Sequence, residues 1–224
     1  MKILVVAAHP NDEVLGCGGA ISRYSQYHEV HIEIMGEGLT ARLDRDVASP
    51  PDALDSLYQS GRKAAEILGA KNINFNGLPE IRFDTIPFLD IVRLIEHKIN
   101  EFQPQMIFSH IAGGVNIDHQ IVNRAVMNAT RPVAGTPVKT IYAFEVPSST
   151  EWAFGLYGAF VPNAFVNITG HLANKLAVMY AYEPEAKNFP HPRSPESLTA
   201  IAVKWGSTVG VHHAEAFQII RHVT

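Results

Sequence analysis

The run Val5-Val6-Ala7-Ala8-His9-Pro10-Asn11-Asp12-Glu13 closes an apolar stretch with an imidazole, and a carboxylate follows three residues later with an amide between them. Imidazole and carboxylate together are ligands for a divalent cation. A second polar cluster, His110, Asn116, Asp118 and His119, lies far downstream. If the two clusters meet, they give two histidines and one carboxylate, with the remaining positions left to water. That composition suits a catalytic zinc site rather than a closed structural one, which would draw more ligands and usually cysteine. Such a cation lowers the pKa of bound water towards ~7 and polarises a carbonyl, so hydrolysis of an amide or ester is the natural chemistry. The same ligands also hold non-haem Fe(II) in oxygenases. A plainer alternative has His9 and Asp12 only capping the helix that follows.

The elements around these residues decide whether the clusters can meet. Short β-branched runs at residues 3–8, 30–35, 72–75, 105–109 and 140–146 predict strands, with a further one at 165–168 and an extended tail at 214–221. Between them, amphipathic stretches predict helices over 13–27, 51–68, 86–102, 119–130, 169–182 and 195–205. This alternation predicts an α/β fold of three layers, a Rossmann-like doubly wound and mostly parallel sheet, in a single domain spanning residues 1–224. In the order 3-2-1-4-5, strands one and four are neighbours and ligands bind beyond their carboxyl ends. The loop after strand one carries His9, Asn11 and Asp12. The loop after strand four carries the second cluster, so His9, Asp12 and a second histidine are expected in one site.

Composition excludes several classes. With 224 residues, 46% hydrophobic, 18% charged and a formal charge of −4, the chain can bury a full core and has no strong field. Lys and Arg are scattered singly, which argues against a nucleic-acid partner. No run reaches the ~18 apolar residues of a membrane span, and the N-terminal apolar run is too short for a signal peptide. The single Cys17 excludes an intramolecular disulfide and fits a reducing compartment, so a cytoplasmic protein is expected.

Ala8-His9-Pro10-Asn11-Asp12-Glu13-Val14-Leu15-Gly16-Cys17-Gly18-Gly19 resembles the Ala-His-Pro-Asp-Asp-Glu signature of the LmbE-like, or PIG-L, deacetylases, and Asn116-Ile117-Asp118-His119 resembles their second motif. The likeness extends through residues 36–42 and the terminal Ala214-Glu215-Ala216-Phe217. It implies a zinc-dependent hydrolase that removes an N-acyl group, most often acetyl, from an amino sugar or a conjugate such as a nucleotide sugar. Carried over residue by residue, His9, Asp12 and His119 are the zinc ligands and Asp118 orients a histidine or the catalytic machinery. Arg42 and Glu37 are expected at the substrate, and an assembly of identical chains is expected. Asn116 stands where the family has a histidine that steadies an oxyanion or relays a proton; an amide can donate a hydrogen bond there but cannot act as an acid. His212, with His213, is a candidate for the missing imidazole.

Asn11 departs most sharply, because the family has at that position the Asp taken as general base. An amide cannot accept the water proton. Impaired natural chemistry and an Asp-to-Asn exchange that traps substrate both remain open, as does a non-catalytic zinc-dependent sugar-binding protein. A dinucleotide-binding oxidoreductase, suggested by Gly16-Cys17-Gly18-Gly19 with Glu37 as ribose binder, fails on position. The turn is His9-Pro10-Asn11-Asp12 and the glycines lie inside the helix. Cys17 is expected to pack as a small apolar residue rather than serve as a fourth ligand. Trp152, Tyr157 and Phe160 form either a sugar-stacking wall or ordinary packing.

Overall fold

A computed structural model describes residues 1–42, 51–182 and 187–224, with the side chains of Arg42 and Pro51 outside the description. Its strands are β1 (Lys2–Ala7), β2 (Glu29–Gly36), β3 (Asn72–Leu78), β4 (Met106–His110), β5 (Thr140–Phe144), β6 (Ala164–Asn167) and β7 (Ala214–His222). Its α-helices are α1 (Asp12–Tyr24), α2 (Pro51–Leu68), α3 (Phe88–Phe102), α4 (Ile117–Ala129), α5 (Leu172–Ala181) and α6 (Pro195–Val209). The sheet order is β3-β2-β1-β4-β5-β7-β6. The first five strands are parallel, as the 3-2-1-4-5 expectation required, and β7 runs antiparallel between β5 and β6.

β1 explains why the fold has three layers. Its alternate residues point to opposite faces: Ile3, Val5 and Ala7 enter a core built with α1, α2, α5 and α6, whereas Leu4, Val6 and, just past the strand, Ala8 enter a second core built with α3 and α4. A strand buried on both faces reads as a continuous apolar run, which is what the sequence shows.

Two departures from the expected helices bear on the site. α4 begins at Ile117 because the Asn116 side chain caps it, accepting from Asp118 N at 2.8 Å, so Asp118 and His119 sit in its first turn. α1 is kinked at Cys17, whose φ of −148° is not helical. The kink frees the backbone N–H groups of Gly19 and Ala20, and the buried Glu215 carboxylate accepts both, at 2.9 and 2.7 Å. Lys175 donates to Glu215 at 2.6 Å and to Leu15 O at 2.8 Å, completing a buried clamp on α1.

The small residues of α1 permit this close seating. A Cβ on Gly16 would lie 2.2 Å from the ring of fully buried Phe144. Gly16→Ala is therefore expected to destabilise the fold by about 1–3 kcal/mol, the usual cost of overpacking. Urea unfolding reads this directly, and an unchanged midpoint would show that the ring gives way without strain.

Candidate active site

The site is built at the junction of β1 and β4. Beyond Ala7 the chain turns through Asn11 in the left-handed region, φ 86°, and enters α1 at Asp12. Asn and Asp occupy that region more readily than other side-chain-bearing residues. The Asn11 carbonyl accepts from Val14 and Leu15 N, while its side chain makes no capping hydrogen bond. Across the loop, Gly36 N donates to Ala8 O at 2.7 Å. A Cβ at position 36 would meet that oxygen at 2.9 Å and the His9 ring at 3.1 Å, so only glycine allows β2 to approach so closely.

His9, Asp12 and His119 are buried, and one ligand atom from each lies within 4.8 Å of the others. Asp12 Oδ2 is 3.4 Å from His9 Nδ1 and 3.1 Å from His119 Nε2. Ligand atoms at about 2.0–2.1 Å from a tetrahedral ion stand roughly 3.3 Å apart, so this spacing fits a divalent cation. The far nitrogens of both rings are also held. His9 Nε2 bonds Asp118 Oδ2 at 2.9 Å, and His119 Nδ1 lies 3.3 Å from Ser149 Oγ. A ligand histidine backed by a carboxylate or hydroxyl is oriented and made more basic. Asp118 is itself fixed, accepting from Ile81 N at 2.6 Å and Phe83 N at 3.1 Å. His110 stacks on His119, centroids 4.1 Å apart, and its Nε2 accepts from Ala8 N at 2.8 Å.

The electrostatics agree with a cation site. Burial opposes charge on His9, but hydrogen bonds to Asp118 and Asp12 and the Asp12 charge outweigh it and raise its pKa to about 10. Burial pushes Asp12 up, yet His119 and His9 hold it well below the usual carboxylate range. The protein therefore stabilises positive charge between these carboxylates, where a divalent ion would replace the proton. Burial also raises Glu13 to about 7, and its Oε1 accepts from Tyr182 OH at 2.8 Å. The cluster opens onto a cavity of about 360 Å³ lined by His9, Asn11, Asp12, Asn116, His119 and, among others, Trp152.

The PIG-L family, described as GlcNAc-PI de-N-acetylase, matches residues 4–130. The chain belongs to the PIG-L family. Among solved structures it is similar to an N,N'-diacetylchitobiose deacetylase from Pyrococcus horikoshii, with 19% identity, a TM-score of 0.79, and coverage of 98% of this chain and 84% of that one. It is also similar to GalB, the 4-carboxy-2-hydroxymuconate hydratase of Pseudomonas putida KT2440, with 24% identity, a TM-score of 0.76, and coverage of 100% and 98%. A deacetylase of the teicoplanin biosynthesis pathway follows, with 16% identity, a TM-score of 0.74, and coverage of 99% and 98%. These likenesses show the shared fold. No curated protein matches the chain.

The structure brings together some of the residues expected of a PIG-L site and separates others. His9, Asn11, Asp12, Asn116 and His119 share the cavity, and Asp118 stands behind His9. Asp118 thus orients a ring 109 residues away rather than the adjacent His119. Asn116 turns its carbonyl to the helix cap, so its NH2 is the donor end left for other partners. Glu37 is absent from the cavity lining. Its carboxylate folds the loop instead, accepting from the backbone N–H groups of Leu39, Thr40 and Glu80 and from the Thr40 hydroxyl. His212 is exposed and likewise absent from the lining, because β7 starts two strands beyond β4. Arg42 ends a 3-10 turn, Thr40–Arg42, but its side chain lies outside the described residues.

Cys17 is fully buried and donates to Glu13 O at 3.3 Å, as packing predicted. Trp152 faces the cavity with its ring edge-on to His191 at 5.5 Å, whereas Phe160 packs near Trp205. Ser148, Ser149, Glu80 and Arg193 also line the cavity, and the sequence reading named none of them. Their one sequence signal was the Pro-rich punctuation and Ser-Ser turn of their loops.

Proposed function

We propose that the chain is a zinc-dependent N-deacetylase acting on an acylated amino sugar, free or conjugated, with the cation held by His9, Asp12 and His119. The observation that carries this reading is the convergence of those three ligands, with Asp118 and Ser149 holding their far nitrogens, on a cavity large enough for a sugar ring. Zinc there would supply Lewis acidity, polarising the acyl carbonyl and acidifying the attacking water.

The chain's own groups supply the rest. Asp118 fixes the His9 ring so that Nδ1 faces the ligand cluster, and Ser149 holds Nδ1 of His119 so that its Nε2 faces it. Asn116 is placed to donate to the oxyanion of the tetrahedral intermediate. Trp152 offers an apolar face for the sugar ring. Asn11 sits where the water proton must go and can hydrogen-bond the water without accepting that proton. Free amino sugar and acetate, or formate from a formyl group, are the products. An assembly of identical chains in the cytoplasm completes the proposal. No described helix is long and apolar enough to cross a membrane.

Stripping the protein with a chelator is expected to abolish residual acetate release from N-acetylated amino sugars, and stoichiometric zinc to restore it. Acetate is the decisive product, because a hydratase, the activity named for the Pseudomonas putida neighbour, releases none. Turnover that is indifferent to metal would overturn the reading. Tight zinc and sugar binding with no turnover, even after Asn11→Asp, would favour a non-catalytic sugar-binding protein.

A further inference from the structure

The wall of the cavity beside His119 is built by two consecutive serines with different tasks. Ser149 Oγ reaches His119 Nδ1, whereas Ser148 Oγ accepts from Arg193 Nε at 2.8 Å. The Arg193 side chain is therefore one residue along the wall from a ligand histidine. Among the described lining residues it is the only lysine or arginine.

The placement is held on both sides. Ser148 is left-handed, φ 72°, a conformation that costs a serine energy, and its N–H is secured by Glu151 Oε1 at 2.6 Å. Arg193 directly precedes Ser194, which caps α6 by accepting from Ser197 N, and Arg193 N donates to His191 Nδ1 at 3.1 Å. His191 in turn lies against Trp152. A strained serine and a helix cap thus present a planar cation next to the aromatic face of the cavity. Guanidinium is the side chain whose forked donors match the two oxygens of a carboxylate or phosphate.

We propose that the substrate of this site carries an anionic group, carboxylate or phosphate, which Arg193 grips while the acyl group lies at the metal ligands. The proposal rests on the deacetylase reading above and narrows it to acidic amino-sugar derivatives. Arg193 is the specificity determinant, and Ser148 fixes the direction of its fork.

Calorimetric titration of the zinc-loaded protein tests this without turnover. The probes are N-acetylglucosamine, its 1- and 6-phosphates, and N-acetylmuramic acid; the phosphates and the carboxylate distinguish the two sources of charge. At least one anionic probe is expected to bind about 10-fold or more tightly than the neutral sugar, the effect of a charge-assisted hydrogen bond. Arg193→Ala should erase that preference, and Arg193→Lys, which keeps the charge and loses the fork, should restore part of it. Equal binding of neutral and anionic probes, or a preference that survives Arg193→Ala, overturns the proposal. Acetate release is scored separately. Release from the neutral sugar without any anion preference sinks this inference alone, and anion-dependent binding with no acetate from any probe, even with the Asn11→Asp protein, sinks the deacetylase reading alone.

Discussion

Asn11→Asp protein is expected to release acetate about 10²- to 10⁴-fold faster than the Asn11 form, the usual contribution of a positioned general base. The structure explains why the exchange should act on chemistry rather than on folding. The Asn11 backbone is left-handed, a conformation Asp also tolerates, and its side chain makes no capping bond that the substitution could break. Its carbonyl, not its amide, holds the first turn of α1. The new carboxylate would stand next to Asp12, and like charge raises its pKa towards neutrality, where a base works best. KM should change little, because Asp and Asn have the same shape. The pair is compared by acetate release from zinc-loaded protein across several N-acyl sugars. Equal rates would remove position 11 from the mechanism. A large gain would mark the Asn11 form as one that holds substrate without converting it.

How much of this site was legible in the sequence follows from how far each feature depends on non-local geometry. β1 is an apolar run ending in His-Pro-Asn-Asp, and its burial on both faces follows from composition alone. The strand alternation then fixed the β1–β4 junction and brought His9, Asp12 and His119 together. The partner of His9 was harder to see. Asp118 reaches it only because Asn116 starts α4 early enough to put Asp118 in the first turn. His212 lies outside the cavity lining because β7 inserts antiparallel between β5 and β6, a choice of strand order that no local pattern encodes. Arg193 and the two serines escaped for a similar reason. Their meeting depends on a left-handed Ser148 and on where α6 is capped, both set by contacts between loops distant in sequence. The Cys17 kink was hidden too, since its stabilising carboxylate, Glu215, arrives from the last strand.

Asp118 offers the second large effect, and a graded pair of substitutions separates its two tasks. Oδ2 accepts from His9 Nε2 and Ile81 N, while Oδ1 accepts from Phe83 N. Asp118→Asn can keep its single oxygen on the Oδ2 side, which preserves the His9 bond in a neutral form and sets its NH2 against Phe83 N–H. Asp118→Ala removes every partner, so the His9 ring loses its orientation and two buried N–H groups lose their acceptor. Loss of such a supporting group typically costs 10- to 100-fold in metal affinity. Zinc affinity is therefore expected to fall by about 10-fold in Asp118→Asn and by about 100-fold in Asp118→Ala, with acetate release falling in the same order. Competition against a chromophoric chelator gives the affinities, and thermal unfolding of the metal-free proteins separates the loss of the loop contacts from the loss of ligand orientation. If both variants bind zinc as tightly as the parent while melting lower, Asp118 serves the Ile81–Phe83 backbone and not the histidine. If affinity falls in the stated order, the carboxylate behind His9 belongs to the metal site as much as the ligands do.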